Sequence, residues 1–268
     1  MRYDWVSFTT DYGTSDGFVA ACKGVIARIA PGARVLDVTH EVEPHDVRHG
    51  GTILAQTVCY LPPAVHLAVV DPGVGSSRRP VVIVAGTSLL VGPDNGLLLP
   101  AVDALGGVSA AFELVEPRYR LPDVSMTFHG RDVFAPAAAH LAIGVAPDEF
   151  GPPVPAEELL RLPAPASDVA GGRLTSEIVS VDRFGNIQLA AGRDELTALG
   201  LAHGQAVRVQ LRRSVVDGQL GETFADVPAG SLLVHVDSAG HVAIAVNGGS
   251  AAEALGGRVG ELVISPIG

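Results

Sequence analysis

The chain has 268 residues, 47% of them apolar, which is enough for one large domain or two modest ones with a substantial core and excludes disorder over most of the length. A formal net charge of -11 argues against nucleic acid as the main partner, because neutralising phosphates needs a basic surface.

The N-terminus, MRYDWVSFTTDYG, lacks the basic-then-apolar form of a signal peptide. WVSFTT reads as a short strand that ends in a turn at DYGTSDG. FVAACKGVIARIAPG has helical spacing and stops at Pro31-Gly32. ARVLDVTHEV is a second strand, and DVRHGGTILAQTVCYLPP a second helix, closed by two prolines. AVHLAVVDPGVG is a nearly continuous apolar strand, as in a sheet covered on both faces. RPVVIVAGTSLLVGPDNGLL supplies two more strands with a turn, and VFAPAAAHLAIG a further helix. Strands alternating with helices imply an α/β domain over residues 1–150, with a mostly parallel sheet and ligands near the carboxyl ends of its strands.

Beyond that point the character changes. Residues 151–171 are proline-rich and read as an extended linker. Residues 172–268 hold mainly short strands (RLTSEIVSVDRFGNIQLA, QAVRVQL, SLLVHVDSAGHVAIAVN, RVGELVISP), with a hairpin turn at Asp237–Gly240. This reads as a smaller, all-β, barrel-like domain. The longest apolar runs fall short of the ~20 residues a membrane helix needs, so no membrane partner is expected and the protein reads as cytoplasmic. Cys22 and Cys59 sit in apolar stretches without metal-ligand spacing and read as two buried free thiols.

Polar residues gather where the sheet places a site. Asp11 and Asp16 follow the first strand, His40 the second and Asp71 the third; GPDNG follows another, and TFHGRD precedes the last helix of the first domain. Taken singly, Asp11 and Asp16 could be turn or capping residues, His129 a satisfied loop histidine, and Arg78 with Arg79 a solvated pair. A Walker lysine motif, a strand-linked GxGxxG, a GxSxG elbow and HExxH or CxxC spacing are all missing, so neither a metal nor a cofactor is expected. Composition and pattern alone stop at an α/β enzyme with a carboxylate-rich cleft.

The ordered set TTDYGTSDGFVAACKGVI, DVTHEVEPHDVRHG, VVDPGVGSSRRP, VGPDNGLL, TFHGRDVFAPAAAHLA, VDRFGNIQL and VNGGSAAEAL goes further. It closely resembles the S-adenosyl-L-methionine hydroxide adenosyltransferase family, relatives of the fluorinase and chlorinase, over essentially the whole chain. The resemblance implies a larger α/β domain followed by a smaller β-barrel, and a homotrimer whose sites lie between subunits. It implies a reaction in which water displaces L-methionine from the ribose C5′ of S-adenosyl-L-methionine, giving adenosine and L-methionine with no cofactor.

By the same resemblance Asp71, Arg78 and His129 surround the nucleophile. The halogenating relatives carry tyrosines at the positions of Asp71 and His129, and a fluorinase carries serine where this chain has Gly130, so the departures favour water over halide. Asp11 matches a carboxylate that holds the ribose hydroxyls. Asp16 and Asp182 match ligands of the methionine amino group, and Phe184 and Asn186 an aromatic wall and a polar contact. Ser238 matches a carboxylate-binding serine, but its neighbour is Ala239 where the fluorinase has arginine. Asn247 and Gly248 match the adenine contact, and His45 falls where the fluorinase has tryptophan. Two alternatives stay open: a chloride-dependent halogenase of the same fold, and a sensor that binds adenosine or S-adenosyl-L-methionine without turnover.

Overall fold

A computed structural model describes residues 1–267. The chain divides into two compact units, Met1–Leu162 and a second beginning at Pro163.

In the first unit six strands form one sheet: β1 (Trp5–Thr10), β2 (Arg34–Thr39), β3 (Val65–Val69), β4 (Pro80–Ala85), β5 (Ser88–Pro93) and β6 (Ala110–Glu113), in the order β2-β1-β3-β5-β4-β6. The pairings β1–β2, β1–β3 and β3–β5 are parallel, and β4 runs antiparallel to both its neighbours. Four helices cover it: α1 (Phe18–Ile29), α2 (Val47–Val58), α3 (Leu99–Ala104) and α4 (Ala135–Ala142). Side chains of a strand alternate between its two faces, and here both faces are dry. Leu67, Val69, Val82 and Val91 pack with Val19, Cys22 and Ile26 of α1 and the alanines of α4. Ala68, Val70, Val81 and Ile83 pack with Leu54 and Val58 of α2 and with α3. This is why the strands read as unbroken apolar runs rather than alternating ones. Helix α2 begins where Asp46 accepts a hydrogen bond from the His49 N–H at 2.9 Å, a side-chain cap on the first turn.

The stretch from 151 to 171, expected as a linker, is largely built into structure. Pro153 bridges to Phe112, the Val154 N–H bonds the Ala111 carbonyl at 2.8 Å, and Val154 and Leu159 are buried in the first unit. Proline lacks an N–H and is tolerated at a sheet edge, so a proline-rich segment can still pack there. Cys22 is buried as expected, but Cys59 is exposed, because it caps the surface end of α2.

The second unit contains β7 (Ser167–Ala170), β8 (Arg173–Val181), β9 (Ile187–Gly192), β10 (Ala206–Leu211), β11 (Ser214–Leu220), β12 (Leu232–Val236), β13 (His241–Val246) and β14 (Glu261–Pro266), with short helices α5 (Arg193–Ala198) and α6 (Ala251–Leu255). The sheet runs β14-β10-β11-β12-β13-β9-β8-β7 and closes through a β14–β8 pairing, making a seven-strand barrel with β7 outside the closure. Val207, Val209 and Leu211 alternate with exposed residues along β10, the half-buried pattern legible in QAVRVQL. Among the described residues no helix is long and apolar enough to cross a membrane.

Candidate active site

Strands β1 and β3 run parallel, so both deliver their following loops to the same edge of the sheet. Asp11 leaves the end of β1 and Asp71 follows β3, and both line a cleft of about 630 Å³ in the first unit, with His129 and Gly130.

The loop after β3 turns tightly. The Val74 N–H bonds the Asp71 carbonyl at 3.2 Å, and the Ser76 hydroxyl donates to the Gly73 carbonyl at 2.6 Å. Gly75 has φ +76°, and a side chain there would come within 2.5 Å of the Met126 carbonyl, so only glycine fits. The turn brings Arg78 back onto Asp71. Its Nε donates to both carboxylate oxygens at 3.0 Å, and its Nη2 donates to Oδ2 as well. The pair is nearly dry, with side-chain exposures of 9% for Arg78 and 6% for Asp71. The ring of Phe134 lies beneath the guanidinium, 5.1 Å from its carbon.

Arg78 Nη2 also meets His129 Nδ1 at 2.9 Å. Guanidinium only donates, so Nδ1 accepts, and the neutral ring then carries its proton on Nε2. Burial, and after it the charge of Arg78, lowers the His129 pKa below the ordinary imidazole value, so the ring is neutral near pH 7. The arginines split their roles: Arg79 binds Asp94 at 2.9 Å and Glu158 at 3.1 Å, away from the cleft. Asn95 donates to the Val70 carbonyl at 2.8 Å, so GPDNG acts as a structural turn. His40 is satisfied by Thr10 at 2.9 Å and Asp37 at 3.1 Å.

Asp11 accepts from the backbone N–H of His45 at 2.9 Å, and His45 holds a left-handed φ of 69° at the cleft wall. Asp16 is exposed and does not line the cleft.

The other expected site residues stand in the second unit. Asp182 Oδ1 accepts from the N–H groups of Phe184 and Asn186 at 2.9 Å each, and Oδ2 from the Asn186 amide at 2.8 Å. Asp182 thereby locks the β8–β9 turn and holds Phe184 out, 70% exposed. Gly185 in this turn bonds the Ala252 N–H at 3.0 Å, so DRFGN adjoins the segment that follows Asn247 and Gly248. Asn247 is half-buried, its amide donating to the Val227 carbonyl at 2.8 Å, while Gly248 is exposed. Ser238 is exposed in the β12–β13 turn, at the opposite end of β13 from Asn247. The second unit also carries a cleft of about 470 Å³, lined by Arg193, His203 and Glu222, which holds none of the expected residues.

Residues 6–151 match the SAM hydroxide adenosyltransferase N-terminal domain, and residues 176–264 match the C-terminal domain of the same family. The chain belongs to the SAM hydroxide adenosyltransferase family. It is 57% identical over 251 residues to an (R)-S-adenosyl-L-methionine hydrolase of Salinispora arenicola (strain CNS-205), covering 94% of this chain and 93% of that protein. A fluorinase of Actinoplanes sp. (strain N902-109) is more distant, 28% identical over 270 residues and 90% of each chain. Among solved structures, an uncharacterized conserved protein from Thermotoga maritima superimposes with a TM-score of 0.90 at 36% identity, covering 97% of this chain and 99% of that one.

This member of the family lines its cleft with residues that motif reading passed over: Tyr12, Phe18, Phe128 and Arg131. The three rings meet edge-on, with centroids 5.3 to 6.1 Å apart. Each is a direct or near chain neighbour of a recognised motif residue, which is the one signal that could have found them. Tyr12 presses on Gly130 so closely that a Cβ there would lie 2.1 Å from its hydroxyl. A side chain at this position therefore requires Tyr12 to shift.

Proposed function

We propose that the chain is an S-adenosyl-L-methionine hydrolase that forms adenosine and L-methionine. Water held in the first unit's cleft attacks the ribose C5′. The new O–C5′ bond forms as the C5′–S bond breaks, the electron pair leaves with sulfur as a neutral thioether, and the water loses a proton. The observation that carries this reading is the half-buried Asp71–Arg78–His129 chain beside an open cleft, in a protein that matches hydrolases along nearly its whole length.

The geometry supports a division of roles. Arg78 fixes Asp71 and occupies His129 Nδ1, so His129 offers an Nε2–H donor and the carboxylate of Asp71 is the acceptor for the water proton. Bulk water is a poor nucleophile, with a pKa near ~15.7, so an oriented acceptor and a nearby cation speed the attack. A neutral leaving group needs no acid, and the displacement needs no cofactor or metal.

Asp11, at the cleft wall, would hold the ribose hydroxyls, and His45 would stand beside them. Asp16 and Asp182 would face the amino group, Phe184 and Asn186 would wall the substrate, Ser238 would meet the carboxylate and Asn247 with Gly248 the adenine. Several of these sit in the second unit, which fits a homotrimer in which a neighbouring copy completes each site. The exposed ring of Phe184 fits such an interface. Light scattering on the eluting protein would test the trimer.

The decisive experiment is turnover in 18O-labelled water, with and without chloride, for both sulfonium epimers, since the related hydrolases are named for the (R) form. Label in the adenosine 5′-hydroxyl is the expected outcome. A chlorinated nucleoside would place the chain with the halogenases, and retained adenosine with no turnover would make it a sensor.

A further inference from the structure

We propose that Arg131, alongside Ser238, binds the carboxylate of the substrate's methionine moiety and makes the site selective for a sulfonium that bears one; this rests on the hydrolase reading above. The substrate carries two positive groups, sulfonium and ammonium, and one negative group, the carboxylate. The cleft offers the acids Asp11 and Asp71 on one side of that balance. On the other, Arg131 is the only lysine or arginine that lines it among the described residues.

Arg131 is built to receive an anion. Its Nε and Nη2 donate to Asp132 at 2.6 and 2.9 Å, and Asp132 is wholly buried and also takes the Ser125 N–H at 2.9 Å. Its guanidinium lies 4.9 Å over the ring of Phe128. These contacts hold one edge of the fork and one face of its plane. Nη1 has no protein partner among the described residues, and the side chain is 37% exposed. A guanidinium fixed this way presents its remaining N–H groups without losing rotamer freedom on binding, and suits a planar carboxylate. Arg131 and His129 line the same cleft, so the guanidinium and the water-holding group open onto one substrate pocket.

Arg131 is also the counter-ion of buried Asp132, so the test must separate binding from folding. Steady-state hydrolysis would be measured for S-adenosyl-L-methionine and for its decarboxylated analogue, with wild type, Arg131→Gln and Arg131→Lys. Wild type is expected to favour the carboxylate-bearing substrate by at least ~10-fold in kcat/KM. Arg131→Gln is expected to lose about 10- to 100-fold on that substrate, chiefly through KM, while the analogue changes by less than about threefold. Arg131→Lys keeps a charge for Asp132 but not the fork, so it should fold normally and retain only part of the preference. A purely structural arginine would lower both substrates together, and that result overturns the inference. So does a wild type indifferent to the carboxylate. Absence of turnover by wild type on either substrate would instead bring down the hydrolase reading, and this inference with it.

Discussion

Arg78→Gln should damage stability and chemistry together, because one side chain serves both. Asp71 is 6% exposed, and its charge-bearing partner is Arg78. Removing one partner of a buried pair leaves a dry charge and costs about 3–5 kcal/mol. At roughly 2–4 °C per kcal/mol for a chain of this size, the Tm should fall by about 6–20 °C. Loss of an oriented acceptor and its cation should lower kcat by about 10²–10⁴-fold. The acid limb of activity carries a further signature. His129 is held below the ordinary imidazole value of ~6.5, first by burial and then by Arg78, so wild type should stay active to a pH below that value. Protonation of Nδ1 is incompatible with accepting from Arg78, so activity should end as His129 protonates on lowering the pH. In Arg78→Gln the limb should move up, yet remain below the ordinary value, because burial persists. Differential scanning fluorimetry and a kcat–pH profile read these effects. A Tm within about 2 °C of wild type, or an unmoved acid limb, would refute the reasoning.

Other expectations concern the same machinery. Stability should also decline in acid: a histidine whose folded pKa is depressed leaves the unfolded chain to bind the proton first, so the loss begins near ~6.5 and continues until His129 itself protonates; His129→Gln should flatten this part of a urea-midpoint–pH curve. Gly130→Ala should cost about 1–3 kcal/mol by overpacking against Tyr12, and Tyr12→Phe should relieve most of that, since the nearest remaining ring carbon stands 3.1 Å away; equal costs in both backgrounds, by chemical denaturation, would show that the contact is not the cause. Asp182→Ala removes three acceptor contacts from the β8–β9 turn and should destabilise by about 1–2 kcal/mol at this exposed position, with a raised KM; unchanged amide-exchange protection at Phe184 and Asn186 would contradict the turn-locking role.

Much of the architecture was legible because it is periodic. The dry strands of the first unit read as unbroken apolar runs, and β10 read as an alternating one, since burial on two faces or one dictates those patterns. The proline-rich stretch misled because composition reports the loss of N–H donors and says nothing about whether a neighbouring edge will accept the segment. Helices α3, α5 and α6 were not anticipated; each is only five or six residues long, too short for a helical period to show. Cys59 lies in an apolar stretch, yet the end of a helix turned it outward.

At the site the division is sharper. The sequence alone determined the chemistry on offer: an aspartate and an arginine across one tight turn, a histidine in HGRD, and motifs ordered as in one family. What it could not decide was which nitrogen of His129 holds the proton, or that Arg131 lines the cleft while Asp132 is buried. Arg78 and His129 are 51 residues apart, and Tyr12 meets Gly130 across most of the first unit's length. Such contacts depend on how loops from separate strands converge at one sheet edge, and only the packed tertiary structure brings those strands together.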